Sequence, residues 1–275
     1  MSTVPDPYFC SMSDLTITLI QTDLVWENKQ ANLDRLENRV NNIDEKTELI
    51  ILPEMFSTGF SMRPDALAER MDGHTVAWMK RLAAQKKTIL TGSLIIEEDG
   101  NYFNRLIWML PNGKFGYYDK RHCFSLAGED KYYMPGTKRF IASVNGWRVN
   151  LCICYDLRFP AWSRQAINAE SKAPEYDLLI YVANWPDKRI HAWKTLLTAR
   201  AIENQCFVAG VNRVGKDGNG IYHSGFSTVT DPLGETLIQK EAEEADLTIK
   251  LNRDKLEEGR ASFPFWRDAD QFIIL

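Results

Sequence analysis

The sequence is short of cysteine and histidine and has no long run of any single character. Five cysteines occur in 275 residues: Cys10, Cys123, Cys152, Cys154 and Cys206. An odd, low count excludes a small disulfide scaffold, and a chain of this length can bury a core without one. The cysteines are read as free thiols of a reducing, cytoplasmic compartment. No apolar stretch reaches the ~18 residues of a membrane span, so no membrane partner is expected. Lysine and arginine never cluster into a long run, and 33 basic residues face 37 acidic ones for a net charge of −4. That balance offers no nucleic-acid surface. Linkers, low-complexity tracts and fixed-period repeats are also missing. Residues 1–14 lack the regions of a signal peptide and are expected to be a flexible leader, with residues 15–275 forming one domain.

What is present is a chain that is 44% hydrophobic, with alternating strand and helix patterns. "LTITLIQ" (Leu15–Gln21), "ELIILPE" (Glu48–Glu54) and "DLLIYVANW" (Asp177–Trp185) are apolar runs of strand length. Leu33, Leu36, Val40 and Ile43 recur at helical spacing, as do Val76, Met79, Leu82 and Ala83. Asn145-Gly146 marks a hairpin between "RFIASV" and "WRVNLCICY". Helices are expected over residues 161–171 and 191–205, and further strands over 88–96, 104–110, 207–214 and three segments between 224 and 250. Residues 121–139 and the tail "FPFWRDADQF" show no period. Hairpins in some places and strand–helix alternation in others predict an α/β fold, a layered sandwich with one core.

Three reactive side chains stand where apolar strands stop. Cys154 ends "NLCIC", and Pro160 shortly after it suits a helix start. Cys154 is therefore placed at a strand-to-helix elbow, where backbone N–H groups and a helix terminus are expected to lower a thiol pKa. Side-chain alternation puts Asn150, Cys152 and Cys154 on one face. Free cysteines are most often buried small hydrophobes, and Cys152, inside the strand, has nothing to activate it. A thiol nucleophile needs a base, and none of His74, His122, His191 and His223 has a spacing that points to Cys154. Glu54, pinned behind Pro53 at the end of "LIILP", is the carboxylate candidate, since a buried glutamate has a raised pKa suited to proton transfer. Lys120 closes "FGYYD" and can favour thiolate or stabilise an oxyanion. Each alone is commonly a first loop residue or a solvated one; their convergence on one sheet edge is the expectation.

"LPEMFSTGF", "YDKRH" and "CICYDLRFP", in this order, resemble the Glu, Lys and Cys motifs of the nitrilase superfamily, the carbon–nitrogen hydrolases. "VANWP" and "LLTARAIENQCFVAGVNRVG" resemble its later segments, so the likeness covers about residues 15–270. It implies a single-domain α-β-β-α sandwich of two mixed sheets flanked by helices, with no cofactor and no metal. It also implies a homodimer or higher homo-oligomer packed through the helix after Cys154 and the one at 191–205. By match, Glu54 takes the place of the general base, Lys120 of the oxyanion lysine, Cys154 of the nucleophile and Glu129 of a second glutamate. The implied chemistry is acyl transfer to the thiol, with the backbone N–H of Tyr155 as second oxyanion donor.

Arg158, four residues past Cys154, can hold a carboxylate in a bidentate grip, or else pair with Asp156. This arginine, the compact "DKRHCFSLAGED" and the "FPFWRDAD" tail resemble the omega-amidase branch. The implied small-molecule substrates are short dicarboxylic monoamides such as 2-oxoglutaramate or 2-oxosuccinamate. Phe60, Phe124 and Trp185 are expected to wall the pocket, though aromatics there are more often core. Another amidase of the superfamily or an N-carbamoyl amino acid hydrolase is the alternative. A metal site on Cys152, Cys154, His122 and Cys123 has the wrong spacing for a zinc knuckle, and Gly215–Gly220 lacks the Lys-Ser/Thr of a phosphate loop.

Overall fold

A computed structural model describes residues 13–168, 173–270 and 272–274. In chain order the elements are β1 (Leu15–Gln21), α1 (Lys29–Asn41), β2 (Leu49–Ile51), α2 (Pro64–Leu67), α3 (His74–Lys86), β3 (Ile89–Glu98), β4 (Asn101–Met109) and β5 (Phe115–Asp119). There follow β6 (Ile141–Val144), β7 (Trp147–Ile153), α4 (Pro160–Ser163), β8 (Leu178–Ala183), α5 (Ile190–Asn204) and β9 (Phe207–Asn212). The last are β10 (Val214–Lys216), β11 (Tyr222–Thr230), β12 (Thr236–Glu241), β13 (Ala245–Leu251) and α6 (Arg253–Ser262).

Two mixed sheets result. One runs β13-β1-β2-β3-β4-β5 and the other β10-β11-β9-β8-β7-β6, with β12 beside β11. Period-2 alternation decides the layers. Ile17, Leu19, Leu49 and Ile51 join one core with Val149, Leu151 and Ile180 of the facing sheet. Ile20, Ile50, Leu90 and Leu94 pack with Leu33, Leu36, Val76, Met79 and Leu82 of α1 and α3. Trp193, Leu197 and Ala201 of α5 cover the second sheet. The architecture is an α-β-β-α sandwich.

Asn28 caps α1 by accepting from the Ala31 N–H at 3.1 Å, as an N-cap side chain does. The expected helix over 161–171 is cut to α4: Arg164 is already extended at ψ 129°, and the Gln165 N–H instead donates to the Asn204 side-chain oxygen at 2.8 Å. Residues 169–172 of that expectation lie outside the described residues. So do residues 1–12 of the expected leader. Ser13 and Asp14, its last two, are tied down, by Trp147 Nε1 donating to Ser13 O at 2.8 Å and by the Arg253 N–H donating to Asp14 at 3.0 Å. Helix α6 was not expected from the sequence.

Strand direction brings the site together. β2 runs parallel to β3, and β5 is antiparallel to β4, itself antiparallel to β3, so β2 and β5 end on the same edge. β7 and β8 are parallel to each other. Glu54, Lys120, Cys154 and Asn184 each follow the carboxyl end of one of these four strands. No helix among the described residues is long and apolar enough to cross a membrane.

Candidate active site

Glu54 is fully buried, three residues beyond β2. Its Oε1 accepts from Lys120 Nζ at 2.9 Å and Asn104 Nδ2 at 2.8 Å, and its Oε2 accepts from the Asn184 N–H at 2.8 Å. Asn184 Nδ2 also donates to the Glu54 carbonyl at 2.6 Å. The carboxylate is thus held from both sheets.

Lys120 follows β5 and is 1% exposed. Its ammonium donates to Glu129 at 2.9 and 3.0 Å as well as to Glu54, and lies 5.1 Å from the Phe60 ring centroid. Burial disfavours its charge, but Glu129, Glu54 and Cys154 outweigh that and push its pKa well above the usual lysine value. It stays an ammonium. Glu129 lies behind it and also accepts the Phe124 N–H at 2.5 Å. Burial raises the Glu129 pKa, Lys120 opposes this, and the Glu54 charge adds to it. The loop from Lys120 to Gly136 closes through the Gly136 N–H on the Lys120 carbonyl at 2.8 Å. A Cβ at Gly136 would stand 2.0 Å from the Asp119 carbonyl oxygen, so only glycine allows that approach.

Cys154 is the first residue past β7, with a left-handed φ of +43°. A non-glycine residue there stores strain that its surroundings must hold. Asp156 supplies the hold. Fully buried, it accepts from the Ile153 N–H at 2.9 Å, Tyr118 OH at 2.7 Å, the His122 N–H at 3.0 Å and His122 Nδ1 at 2.8 Å. The left-handed turn breaks the alternation expected for the two cysteines. Cys154 faces Glu54, Lys120 and Glu129, whereas Cys152 faces Asp156, Tyr181 and the core between the sheets.

The thiol differs from its expectation. Burial and the Glu54 charge raise the Cys154 pKa well above the usual thiol value, and Lys120 only partly offsets them. The turn behind it, Cys154–Arg158, is 3-10, and α4 is four residues long, so no extended helix terminus is present to lower it. The Glu54 carboxylate and the Cys154 thiol line the same cavity, close enough for the Glu54 charge to act on the thiol. The raised pKa keeps the resting thiol protonated, with the Glu54 carboxylate nearby.

A cavity of about 530 Å³ opens over these groups. Glu54, Lys120, Cys154, Tyr155 and Arg158 line it, and Phe60, Phe124 and Trp185 do wall it. Glu129 supports it from behind. The Arg158–Asp156 pairing does not form, because Asp156 is occupied by the elbow; Arg158 lies over the Trp185 ring at 5.0 Å instead. Asn104, Asn184 and Arg189 were not singled out from the sequence. Asn184 carried the same signal as Glu54, a polar residue directly after a buried strand. Asn104 lies inside β4, not after a strand end, and had no such signal. His122 and Cys123 are committed elsewhere, Cys123 to the Tyr133 carbonyl at 3.6 Å. Among the described residues no cluster of His, Cys, Asp and Glu has metal-holding geometry.

The carbon-nitrogen hydrolase family model matches residues 16–261. The chain belongs to the carbon–nitrogen hydrolases. It is 43% identical to omega-amidase YafV of Escherichia coli (strain K12), over 96% of this chain and 100% of that one. The 2-oxoglutaramate amidase of Bacillus subtilis (strain 168) is 29% identical over 92% of this chain and 96% of its own length. A carbon–nitrogen hydrolase superfamily protein from Xanthomonas campestris, solved with an arsenic adduct in its active site, superposes with a TM-score of 0.93. It is 43% identical, covering 96% of this chain and 100% of that structure's chain. Nothing in this hydrolase's arrangement of two carboxylates, an ammonium and a thiol departs from hydrolysis of a carbon–nitrogen bond.

Proposed function

We propose that this carbon–nitrogen hydrolase is an amidase of short dicarboxylic monoamides, with 2-oxoglutaramate and 2-oxosuccinamate as the preferred class. The observation that carries the reading is one cavity holding the Glu54–Lys120–Cys154 group and, at its rim, the carboxylate-free Arg158. The relatives' own names, omega-amidase and 2-oxoglutaramate amidase, support it.

Glu54 takes the Cys154 proton as sulfur attacks the amide carbon. The C–S bond forms, and the carbonyl oxygen becomes an oxyanion facing the Lys120 ammonium and the Tyr155 N–H. Collapse breaks the C–N bond, and the leaving nitrogen takes the proton from Glu54 and departs as ammonia. Glu54 then deprotonates water, which attacks the thioester. The carboxylic acid leaves, and the sulfur recovers its proton. The high thiol pKa makes the proton transfer to Glu54 a required part of the attack. Glu129 and Asn104 hold Lys120 and Glu54 in place. Arg158 binds the distal carboxylate. The enzyme works as a homodimer or higher homo-oligomer in a reducing cytoplasm, consistent with free thiols at Cys123, Cys152, Cys154 and Cys206.

Ammonia release from both amides tests this. Wild type and Cys152→Ala should turn over, and Cys154→Ala should not. No release from either amide by wild type would sink the substrate assignment and return attention to N-carbamoyl amino acids, whose carboxylate Arg158 would also fit.

A further inference from the structure

The cavity rim holds a second cation. Arg189, at the turn before α5, lines the same cavity as Arg158 and is half-buried. Each guanidinium rides on an aromatic ring that is fixed to the reacting centre. Arg158 lies 5.0 Å from the Trp185 centroid, and Asn184, next to that tryptophan, donates to Glu54. Arg189 lies 5.3 Å from the Phe124 centroid, and the Phe124 N–H donates to Glu129. The two supports are linked: Trp185 Nε1 donates to the Arg189 carbonyl at 2.8 Å, and the Phe124 ring meets Tyr155, the residue after Cys154, at 4.9 Å.

Neither guanidinium has a carboxylate partner among the described residues. The third arginine at the cavity, Arg63, does: it pairs with Glu27 at 2.8 Å. One bidentate arginine already contacts both oxygens of a single carboxylate, which leaves the second uncompensated guanidinium over the cavity available for another acceptor. A further acceptor beside the carboxylate would use the second fork.

We propose that Arg158 and Arg189 form a two-arginine clamp for a 2-oxo carboxylate, Arg158 taking the carboxylate and Arg189 the adjacent 2-oxo oxygen. Arg189 is then the residue that separates 2-oxo acid monoamides from plain dicarboxylic monoamides. This rests on the amidase reading given above and deepens it. It also explains why the clamp sits on aromatic rings: a guanidinium stacked on a ring face keeps its N–H edges free for the ligand.

The test compares 2-oxoglutaramate with glutaric acid monoamide, which has the same length but no 2-oxo group. Arg189→Ala should raise KM for 2-oxoglutaramate by about ten- to a hundredfold, the value of one or two hydrogen bonds to a charged group. It should leave KM for the plain monoamide within a few-fold, and Arg189→Lys should recover part of the loss. Arg158→Ala should raise KM for both. An Arg189→Ala enzyme that keeps the wild-type preference overturns the clamp while leaving the amidase reading intact. A second arm does not need turnover. Calorimetry of 2-oxoglutarate on Cys154→Ala, with and without Arg189→Ala, should show a comparable fall in affinity. Equal affinities, or no binding to Cys154→Ala at all, overturn the clamp even if the amide substrate proves to be another.

Discussion

At the residue scale, the site works by burying charges that compensate one another. Lys120 is buried with two carboxylates and keeps its proton, while Cys154 is half-buried near a carboxylate and keeps its own. A lone thiolate beside Lys120 would be a standing nucleophile; in the proposed mechanism the Glu54 charge prevents that until a substrate carbonyl arrives to accept the electron pair. His223 shows the opposite strategy, a base buried uncharged. It lines the cavity at 2% exposure, and burial followed by the Arg213 charge lowers its pKa from 6.5 to about 4. Above pH 6.5 the folded and unfolded forms are both neutral there, and the full stability is present. As pH falls from 6.5 towards about 4, the unfolded chain takes up a proton that the folded one refuses, so stability is lost. The slope of melting temperature against pH over that window should be shallower in His223→Gln than in wild type. Parallel curves would show that this imidazole is not the group responsible.

At the element scale, strand ends are the organising device. β2, β5, β7 and β8 stop at one edge, and each delivers one polar residue there. The elbow after β7 is the demanding one, because Cys154 is held at φ +43° by the Asp156 carboxylate rather than by a long helix. Asp156→Asn replaces one acceptor oxygen with an N–H₂ that faces either the donors of Ile153 and Tyr118 or those of His122. Displacing the nucleophile by ~1 Å can cost about a hundredfold. The variant is expected to lose about that factor in kcat with KM for 2-oxoglutaramate little changed, while circular dichroism shows it folded. An unchanged kcat would mean that the turn is fixed by other contacts.

At the scale of the whole molecule, the sandwich leaves several large apolar side chains exposed. Ile202 on α5 is 45% exposed, Phe263 after α6 is 69% exposed, and Phe272 and Ile273 are 52% and 86% exposed. Exposed apolar surface that forms a patch is commonly covered by association. Light scattering of the purified protein should give at least twice the 31.6 kDa chain mass. A mass matching one chain at micromolar concentration would overturn the oligomer. Ile202→Glu should shift the wild-type assembly towards the monomer, because a charge would be buried at the contact.

The sequence by itself determined the strands other than β10, the long helices α1, α3 and α5, and three reactive residues at strand ends, because apolar periodicity and punctuation by proline and glycine are local properties. Pro53 marked Glu54, and Pro160 marked the elbow after Cys154. Local patterning could not determine α4, whose expected continuation past residue 163 loses to hydrogen bonds from Gln165 and Tyr176 to distant groups. Nor could it determine α6, anchored by Arg253 and Arg260 on the buried carboxylate of Asp177. Only the tertiary structure decided the sign of the Cys154 pKa shift, the engagement of Asp156 with the elbow instead of Arg158, the hydrogen bonds of Asn104 and Asn184 to Glu54, and the place of Arg189 on the cavity wall. Each depends on charges and donors brought together across tens of residues, from Asn184 on Glu54 to Lys120 on both glutamates. Desolvation and Coulomb interaction act through space, and adjacency in the chain carries no record of them.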